Sequence, residues 1–249
     1  IKMQTFTTYA THHGPVMGMR NGDWLSLREN NRSLDALLQS WLRTKADGFE
    51  AFKKVMDLRA NTSDNTVFAD DKGNIAYWHG NYIPKRNPTF DYNQPLDGSI
   101  SATDWNGLHD LDETVHVYNP STGWIQNTNS TPFTVSGSSS PKKEAYPPYM
   151  APDAENARAI NAARLLSAAK DITIDKMIQI GYDPYLSAFD ILLPALFKSY
   201  DSLAPNDAQK KSLEAPIHYL RIWDKNASTS SVATTLATEW ASVVEARVG

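Results

Sequence analysis

Strand patterns and helix patterns occupy different parts of this chain, and that separation limits the folds it can adopt. Alternating and β-branched runs lie before residue 150, whereas apolar stripes with helical spacing follow Pro152. A strand-rich part followed by a helix-rich part predicts the α+β class. The predicted division is a strand-rich region over 1–150 with long ordered loops and a helical region over 151–249.

Two turn sequences predict β-hairpins, and one apolar stripe between them predicts a helix. Asn21-Gly22 and the segment 71–74 each lie between short strand-like runs, which is typical of hairpin turns. Apolar residues at helical spacing follow Ser33, a residue suited to cap a helix. These apolar positions are Leu34, Leu37, Leu38, Trp41 and Leu42.

The region between the strands and the helices lacks a clear period. Residues 83–150 are rich in Pro, Asn and Ser, but they also contain Trp105, Tyr118 and Trp124. Disordered segments are poor in aromatic residues, so a long ordered connection is predicted. A mobile loop tip is expected at Ser136–Ser140.

Composition excludes several classes of function. The 249 residues carry a formal net charge of −4 without a basic run, which argues against nucleic-acid binding. No apolar stretch is long enough to span a membrane. The chain has no cysteine, which excludes disulfides and thiol catalysis.

Metal-ligand patterns in this sequence are weak. Two adjacent histidines, His12 and His13, would point to opposite faces of a strand, so a shared ion is not favoured over hydrogen-bonded structural roles. The acidic group Asp110, Asp112 and Glu113 lacks the alternating spacing of a calcium loop, which favours a solvated turn. No metal and no cofactor are predicted.

The tripeptide Asn127-Thr128-Asn129 carries the clearest candidate chemistry. It follows the apolar segment Gly123-Trp124-Ile125-Gln126, which is expected to bury its surroundings. An asparagine amide can donate to a developing oxyanion, and buried polar groups need partners. Asparagine-rich turns are also common, so the residues alone leave an ordinary turn as the more frequent explanation.

Motifs along the chain resemble the penicillin acylase family. This family belongs to the N-terminal nucleophile hydrolases and includes acyl-homoserine lactone acylases. The similarity is strong from Thr5 to about Leu166 and looser beyond. The matching segments, in the order in which the family has them, are Thr11–Val16, Asn65–Tyr77, Gly80 with Pro84 and Arg86, Pro95–Gly98, Trp105–Gly107, Asn119–Asn129, Tyr146-Pro147 and Asn156–Leu166.

The resemblance implies a fold and a reaction. The fold is part of an αββα sandwich followed by a mainly helical region. The reaction is hydrolysis of the amide bond of an N-acylated small molecule, of β-lactam or acyl-homoserine lactone type. The family's oxyanion-binding asparagine falls on Asn129, and a neighbouring arginine falls on Arg158. Asp64 and Trp41 fall near positions that line the acyl pocket, although core packing explains Trp41 equally well.

The resemblance also implies partners and a location. The family's nucleophile is a serine at the N-terminus of the large subunit, freed by self-cleavage, whereas position 1 here is Ile. The expectation is therefore a large-subunit fragment that lacks the small subunit and the first part of the large one, and that is inactive alone. A periplasmic or secreted location is expected.

Two other hypotheses stay open. The chain could be a binding or structural module that reuses this fold, or a noncatalytic relative whose parent lost the serine. Asn129 together with Arg158 favours the enzyme, since a binding module has no need for an oxyanion pair.

Overall fold

The computed structural model describes residues 3–30, 33–61 and 64–248. They form two compact units, 1–154 and 155–249. The first unit contains two three-stranded antiparallel sheets, and the second contains helices. The predicted α+β class is confirmed. No helix within the described ranges is both long enough and apolar enough to cross a membrane.

The first sheet has the order β1-β2-β3 and follows from the Asn21-Gly22 turn. Its strands are β1 Ala10–Thr11, β2 Gly14–Arg20 and β3 Asp23–Ser26. Asn21 and Gly22 have φ angles of 55° and 93°. A tight hairpin turn requires positive φ at both central residues, which Asn and Gly tolerate. The first predicted hairpin is confirmed.

The second sheet has the order β4-β5-β6. It consists of β4 Thr66–Ala69, β5 Ile75–Trp78 and β6 His116–Tyr118. The hairpin of β4 and β5 is confirmed, whereas β6 lies inside the region predicted as loop. A strand of three residues leaves too short a pattern to detect in sequence.

Two helices connect the sheets, α1 Leu34–Arg43 and α2 Phe49–Met56. The side chain of Ser33 accepts a hydrogen bond from the Asp35 N–H, so the predicted cap is confirmed. Helix α2 covers one face of the second sheet through a core of aromatic and aliphatic side chains. Its members are Met56, Ala76, Trp78 and Leu111, with Phe49, Phe52, Phe68 and Tyr118 packed against them.

Strand β5 is buried on both faces. Trp78 faces α2, whereas Tyr77 packs on the other side against Val117 and Val135. Successive strand residues point to opposite faces, so β5 joins two separate apolar clusters. A strand buried on both faces needs cover from two directions, and residues 115–135 supply the second cover.

Residues 83–150 are ordered by short 3₁₀ turns and buried polar contacts. The turns are Ser101–Thr103, Leu111–Glu113, Pro132–Thr134, Gly137–Ser139 and Lys143–Ala145. The expected mobile tip at Ser136–Ser140 is wrong. Ser136 is buried, and its hydroxyl donates to the Trp124 carbonyl at 2.7 Å.

The second unit is a helical bundle. Its helices are α3 Ala157–Ala168, α4 Ile174–Gly181, α5 Ala188–Asp201, α6 Ala208–Arg221 and α7 Val232–Val248. The core contains Phe189 and Leu193 of α5, Leu220 of α6 and Ala237 of α7. Helix α6 begins after Asp207 and continues through Pro216, although proline inside a helix removes one backbone hydrogen bond.

The apolar stripe of α1 does not face a core of this chain. Leu34 is 82% exposed, Leu37 69% and Trp41 63%, while Gln39 is the buried residue of the helix. The side-chain oxygen Oε1 of Gln39 accepts from the Ala60 N–H at 2.9 Å and so anchors the opposite face of the helix. Core packing is therefore the wrong explanation for Trp41. Large bare apolar faces rarely persist on monomers, so this stripe favours self-association or cover by other sequence.

A matched pair of leucine substitutions tests this distribution of buried surface. Leu193→Ala removes a side chain that is 1% exposed, so we expect its free energy of unfolding to fall by about 2–5 kcal/mol. Leu37→Ser should change that free energy by less than about 0.5 kcal/mol but should reduce the fluorescence of a bound apolar dye. Urea titration measures the first quantity, and dye binding the second. A strongly destabilised Leu37→Ser chain would contradict the exposed position of this stripe.

Candidate active site

A line of hydrogen bonds runs from the buried face of β5 to the tripeptide Asn127-Thr128-Asn129. The Tyr77 hydroxyl lies 2.9 Å from His79 Nδ1, and His79 Nε2 lies 2.9 Å from an Asp153 carboxylate oxygen. Asn127 Nδ2 donates to the Tyr77 hydroxyl oxygen at 3.3 Å. The side-chain oxygen Oδ1 of Asn127 accepts from the Asn129 backbone N–H at 3.2 Å.

The partners at each end fix the direction of every donor. Asp153 accepts the His79 Nε2 proton, which leaves Nδ1 as an acceptor for the Tyr77 hydroxyl proton. The Tyr77 oxygen is then an acceptor for the Asn127 amide. Each donor in this line meets one acceptor, so the Asn127 side chain is held in one orientation.

Burial keeps the two central groups of this line neutral. It lowers the pKa of His79, against the opposing charge and hydrogen bond of Asp153. It also raises the pKa of Tyr77, because the phenolate would be poorly solvated there. A neutral imidazole and a protonated phenol are the forms that the donor directions require.

The tripeptide is a tight turn that follows a segment packed against a buried apolar cluster. Ile125 packs with the cluster of Tyr77, Val117 and Val135, and the Gln126 N–H donates to the Val135 carbonyl at 2.9 Å. Asn129 has a φ of 57°, a left-handed conformation that asparagine tolerates better than most residues. The tripeptide therefore forms a turn, and the segment that leads into this turn packs on the cluster of Tyr77, Val117 and Val135.

Asn129 is exposed in this chain, so the expectation that its amide would be partly buried is wrong. The buried partners belong to Asn127 instead, two residues earlier. The backbone turns at Asn129, where φ is 57°, so the side alternation of an extended strand does not apply to this residue.

Arg158 lies in the first turn of α3, in the second unit, and it is exposed. Helical spacing follows Pro152 in the sequence, but helix α3 begins only at Ala157, after an Asn156 cap. Asp153 pairs with His79 instead. Asn129 and Arg158 belong to different units, and their pairing stays a prediction.

The two predicted pocket residues are both exposed. Trp41 contacts the Lys45 ammonium, which lies 4.6 Å from the indole centroid, and Asp64 precedes β4. A cavity of about 1090 Å³ in the first unit is lined by residues other than Trp41 and Asp64. The role of Trp41 and Asp64 in an acyl pocket stays a prediction.

The acidic group Asp110, Asp112 and Glu113 forms a capped turn. Glu113 accepts from the Asp110 N–H, which closes a capping box. Each carboxylate also meets a cation: Asp110 pairs with Arg59, Asp112 with Lys53 and Glu113 with Lys85. These contacts explain the cluster as local structure.

Sequence reasoning missed the roles of Tyr77, His79 and Asp153. Tyr77 and His79 are two positions apart in a buried strand and therefore share a face, which is a usable signal for a polar pair. Their connection to Asp153 spans a long stretch of chain, and no local pattern encodes it.

Comparisons with known proteins agree with this architecture. The sequence model of the penicillin amidase family matches residues 2–248. Penicillin G acylase of Escherichia coli is 31% identical over 134 residues, which are 52% of this chain and 16% of that protein. A thermostable penicillin G acylase from Alcaligenes faecalis, solved in an orthorhombic form, matches with a TM-score of 0.68 at 22% identity, over 92% of this chain and 41% of that chain.

The chain belongs to the penicillin amidase family, because the family match spans nearly all of it. This is a family of amidohydrolases, and the predicted resemblance is confirmed. The structural likeness adds that the fold corresponds to part of such an acylase. The chain spans less than half the length of these two relatives.

Tyr77→Phe tests whether the hydrogen-bond line contributes to stability. The change removes one hydroxyl and leaves His79 Nδ1 and the Asn127 amide without their partner. We expect the free energy of unfolding to fall by about 1–3 kcal/mol. Tyr182→Phe removes the hydroxyl of a tyrosine that is 85% exposed and should cost less than about 0.5 kcal/mol. Equal urea midpoints for the two variants would show that the hydrogen-bond line does not contribute to the free energy of unfolding.

Proposed function

We propose that this chain is the part of a penicillin-acylase-type amidohydrolase that supplies the side-chain donor of the oxyanion hole. The observation that carries the proposal is the turn at Asn127–Asn129, held by the buried line through Tyr77, His79 and Asp153. Preorganised donors stabilise an oxyanion best because they need no reorganisation during the reaction.

In the proposed reaction, a serine from sequence outside this chain attacks the amide carbonyl of the substrate. Its hydroxyl proton passes to its own α-amine through water, and the carbonyl electrons move onto oxygen. Asn129 Nδ2 then donates to that oxyanion. Collapse of the intermediate breaks the C–N bond, the leaving amine takes the proton, and water later hydrolyses the acyl-enzyme.

We assign Arg158 to orienting Asn129 and the N-terminal amine. Support comes from its position in the first turn of α3, where a cation is disfavoured by the helix dipole. A residue placed there against local electrostatics is better explained by a role at the site than by stabilisation of the helix. Substitutions that remove the Asn129 amide or the Arg158 guanidinium should lower kcat rather than raise KM.

Membership of the family supports a proposal for the substrate class. We propose an N-acylated small molecule of β-lactam or acyl-homoserine lactone type, cleaved in the periplasm or outside the cell by a self-processed enzyme. The exposed indole of Trp41 and the exposed carboxylate of Asp64 are free to line an acyl pocket that other sequence completes. A panel of acyl amides tested on the full enzyme would define the acyl preference.

Asn129→Asp is the sharpest test of the proposed donor. Aspartate has the same shape and tolerates the left-handed φ of 57°, but it replaces the donating amide with a negative oxygen. In the full enzyme we expect kcat to fall by about 10²-fold or more with KM nearly unchanged. Asn21→Asp, at a hairpin asparagine with a φ of 55°, is the matched control and should retain activity. A normal rate for Asn129→Asp would end the assignment.

A second expected outcome concerns the isolated chain. Without the serine nucleophile, the purified 249-residue chain should show no turnover of an acyl amide. Addition of the remaining sequence should restore hydrolysis if the chain is the proposed part of an enzyme. Turnover by the chain alone that disappears in Asn129→Asp would contradict the proposed division of the site. A parent without the serine would favour a noncatalytic relative.

A further inference from the structure

Three side chains in the first unit converge on one point. They are His12, His13 and Asp104, and one ligand atom from each lies within 4.8 Å of the others. The two imidazole centroids are only 3.7 Å apart. We propose that these three residues bind a divalent cation of the zinc class on the wall of the main cavity. This inference is independent of the proposed acylase function.

The convergence corrects the expectation that the two histidines point apart. His12 and His13 occupy a turn between β1 and β2, not a strand, so alternation does not apply. The Thr11 hydroxyl accepts from the His13 N–H at 3.2 Å and closes that turn. The turn therefore holds both rings on one side.

Gly14 makes this turn possible. Its φ is 139°, and a Cβ there would lie 2.0 Å from the Leu27 carbonyl oxygen. Only glycine fits such an approach of backbone to backbone. The close packing ties the histidine turn to the end of β3 and limits how far the two rings can separate.

The orientation of His13 is fixed in the way that metal-binding histidines require. His13 Nε2 lies 2.8 Å from the Gly98 carbonyl oxygen, which can only accept a hydrogen bond. The proton is therefore on Nε2, and the Nδ1 lone pair faces Asp104. Ligating histidines commonly donate the second ring N–H to a backbone carbonyl, which fixes the tautomer.

A side chain at residue 98 would prevent this arrangement. A Cβ on Gly98 would lie 2.8 Å from His13 Nε2. The absence of a side chain is thus what allows the carbonyl of Gly98 to reach the ring. Gly98→Ala should displace His13 without removing any of the three proposed ligands.

The distance between His13 and Asp104 suits a shared ion better than a direct hydrogen bond. His13 Nδ1 lies 3.7 Å from Asp104 Oδ1, beyond the usual hydrogen-bond limit. Two ligands on a tetrahedral zinc, with bonds of about 2.0–2.2 Å, lie roughly 3.4 Å apart. The separation of His13 and Asp104 is therefore within about 0.3 Å of that between two zinc ligands.

The ligand set selects the class of ion. Two imidazole nitrogens and one carboxylate oxygen are typical of zinc, whereas calcium and magnesium prefer all-oxygen sites. Three protein ligands leave a position open for water or a ligand. His12 and His13 line the cavity of about 1090 Å³, so that open position would face solvent space.

One cation competes with the proposed ion. Arg28 Nη1 lies 3.6 Å from Asp104 Oδ1, and its guanidinium lies 4.6 Å from the Trp105 centroid. The positive charge of Arg28 disfavours a second cation at Asp104. Arg28→Gln should therefore tighten metal binding, an effect that a purely structural histidine pair would not produce.

Titration of the chain with Zn²⁺ and with Co²⁺ tests the proposal. We expect one Zn²⁺ bound per chain by calorimetry, and a visible Co²⁺ spectrum typical of four or five ligands. His12→Ala should weaken binding by about tenfold or more, by analogy with the 10–100-fold losses at supporting residues of metal sites. His218→Ala, at an exposed histidine of α6, is the matched control and should bind as the unaltered chain does.

The remaining variants separate a built site from adventitious binding. Arg28→Gln should bind Zn²⁺ several-fold more tightly, and Gly98→Ala more weakly, with the circular dichroism spectrum of each variant unchanged. Equal losses in His12→Ala and His218→Ala would overturn the proposal. No saturable binding by the unaltered chain, or weaker binding by Arg28→Gln, would also overturn it.

Discussion

The burial of β5 on both faces is the constraint on which the first unit depends. Trp78 requires α2 on one side, and Tyr77 requires residues 115–135 on the other. The buried Tyr77 hydroxyl must find partners, because an unpaired polar group in such surroundings costs about 1–3 kcal/mol. His79 and Asn127 supply them. Packing of one strand thereby fixes the loop that carries the candidate oxyanion donor.

The turn separates a partly buried asparagine side chain from an exposed one. Asn127 faces inward and donates to the buried Tyr77 hydroxyl, whereas Asn129 is exposed. Burial keeps His79 and Tyr77 neutral, so the hydrogen-bond line below the turn carries its charge only on the carboxylate of Asp153.

The exposed apolar surface shows the limit of periodicity as a guide. The stripe on α1 predicts a helix correctly, and Ser33 marks where it begins. The same stripe does not reveal what it faces, and in this chain Leu34 and Trp41 face solvent. Helical spacing reports that one face is apolar, while the partner of that face depends on sequence that is distant or outside the chain.

The sequence by itself determined the hairpins, most helix positions, the α+β class and the family, because turn residues, caps and ordered motifs act over a few residues. Sequence also singled out Asn129 through the family motif. The tertiary structure alone decided the line from Asp153 through His79 and Tyr77 to Asn127, and the meeting of His12 and His13 with Asp104. Those contacts join residues far apart in the chain. Their geometry depends on how whole elements pack, and no local propensity specifies it.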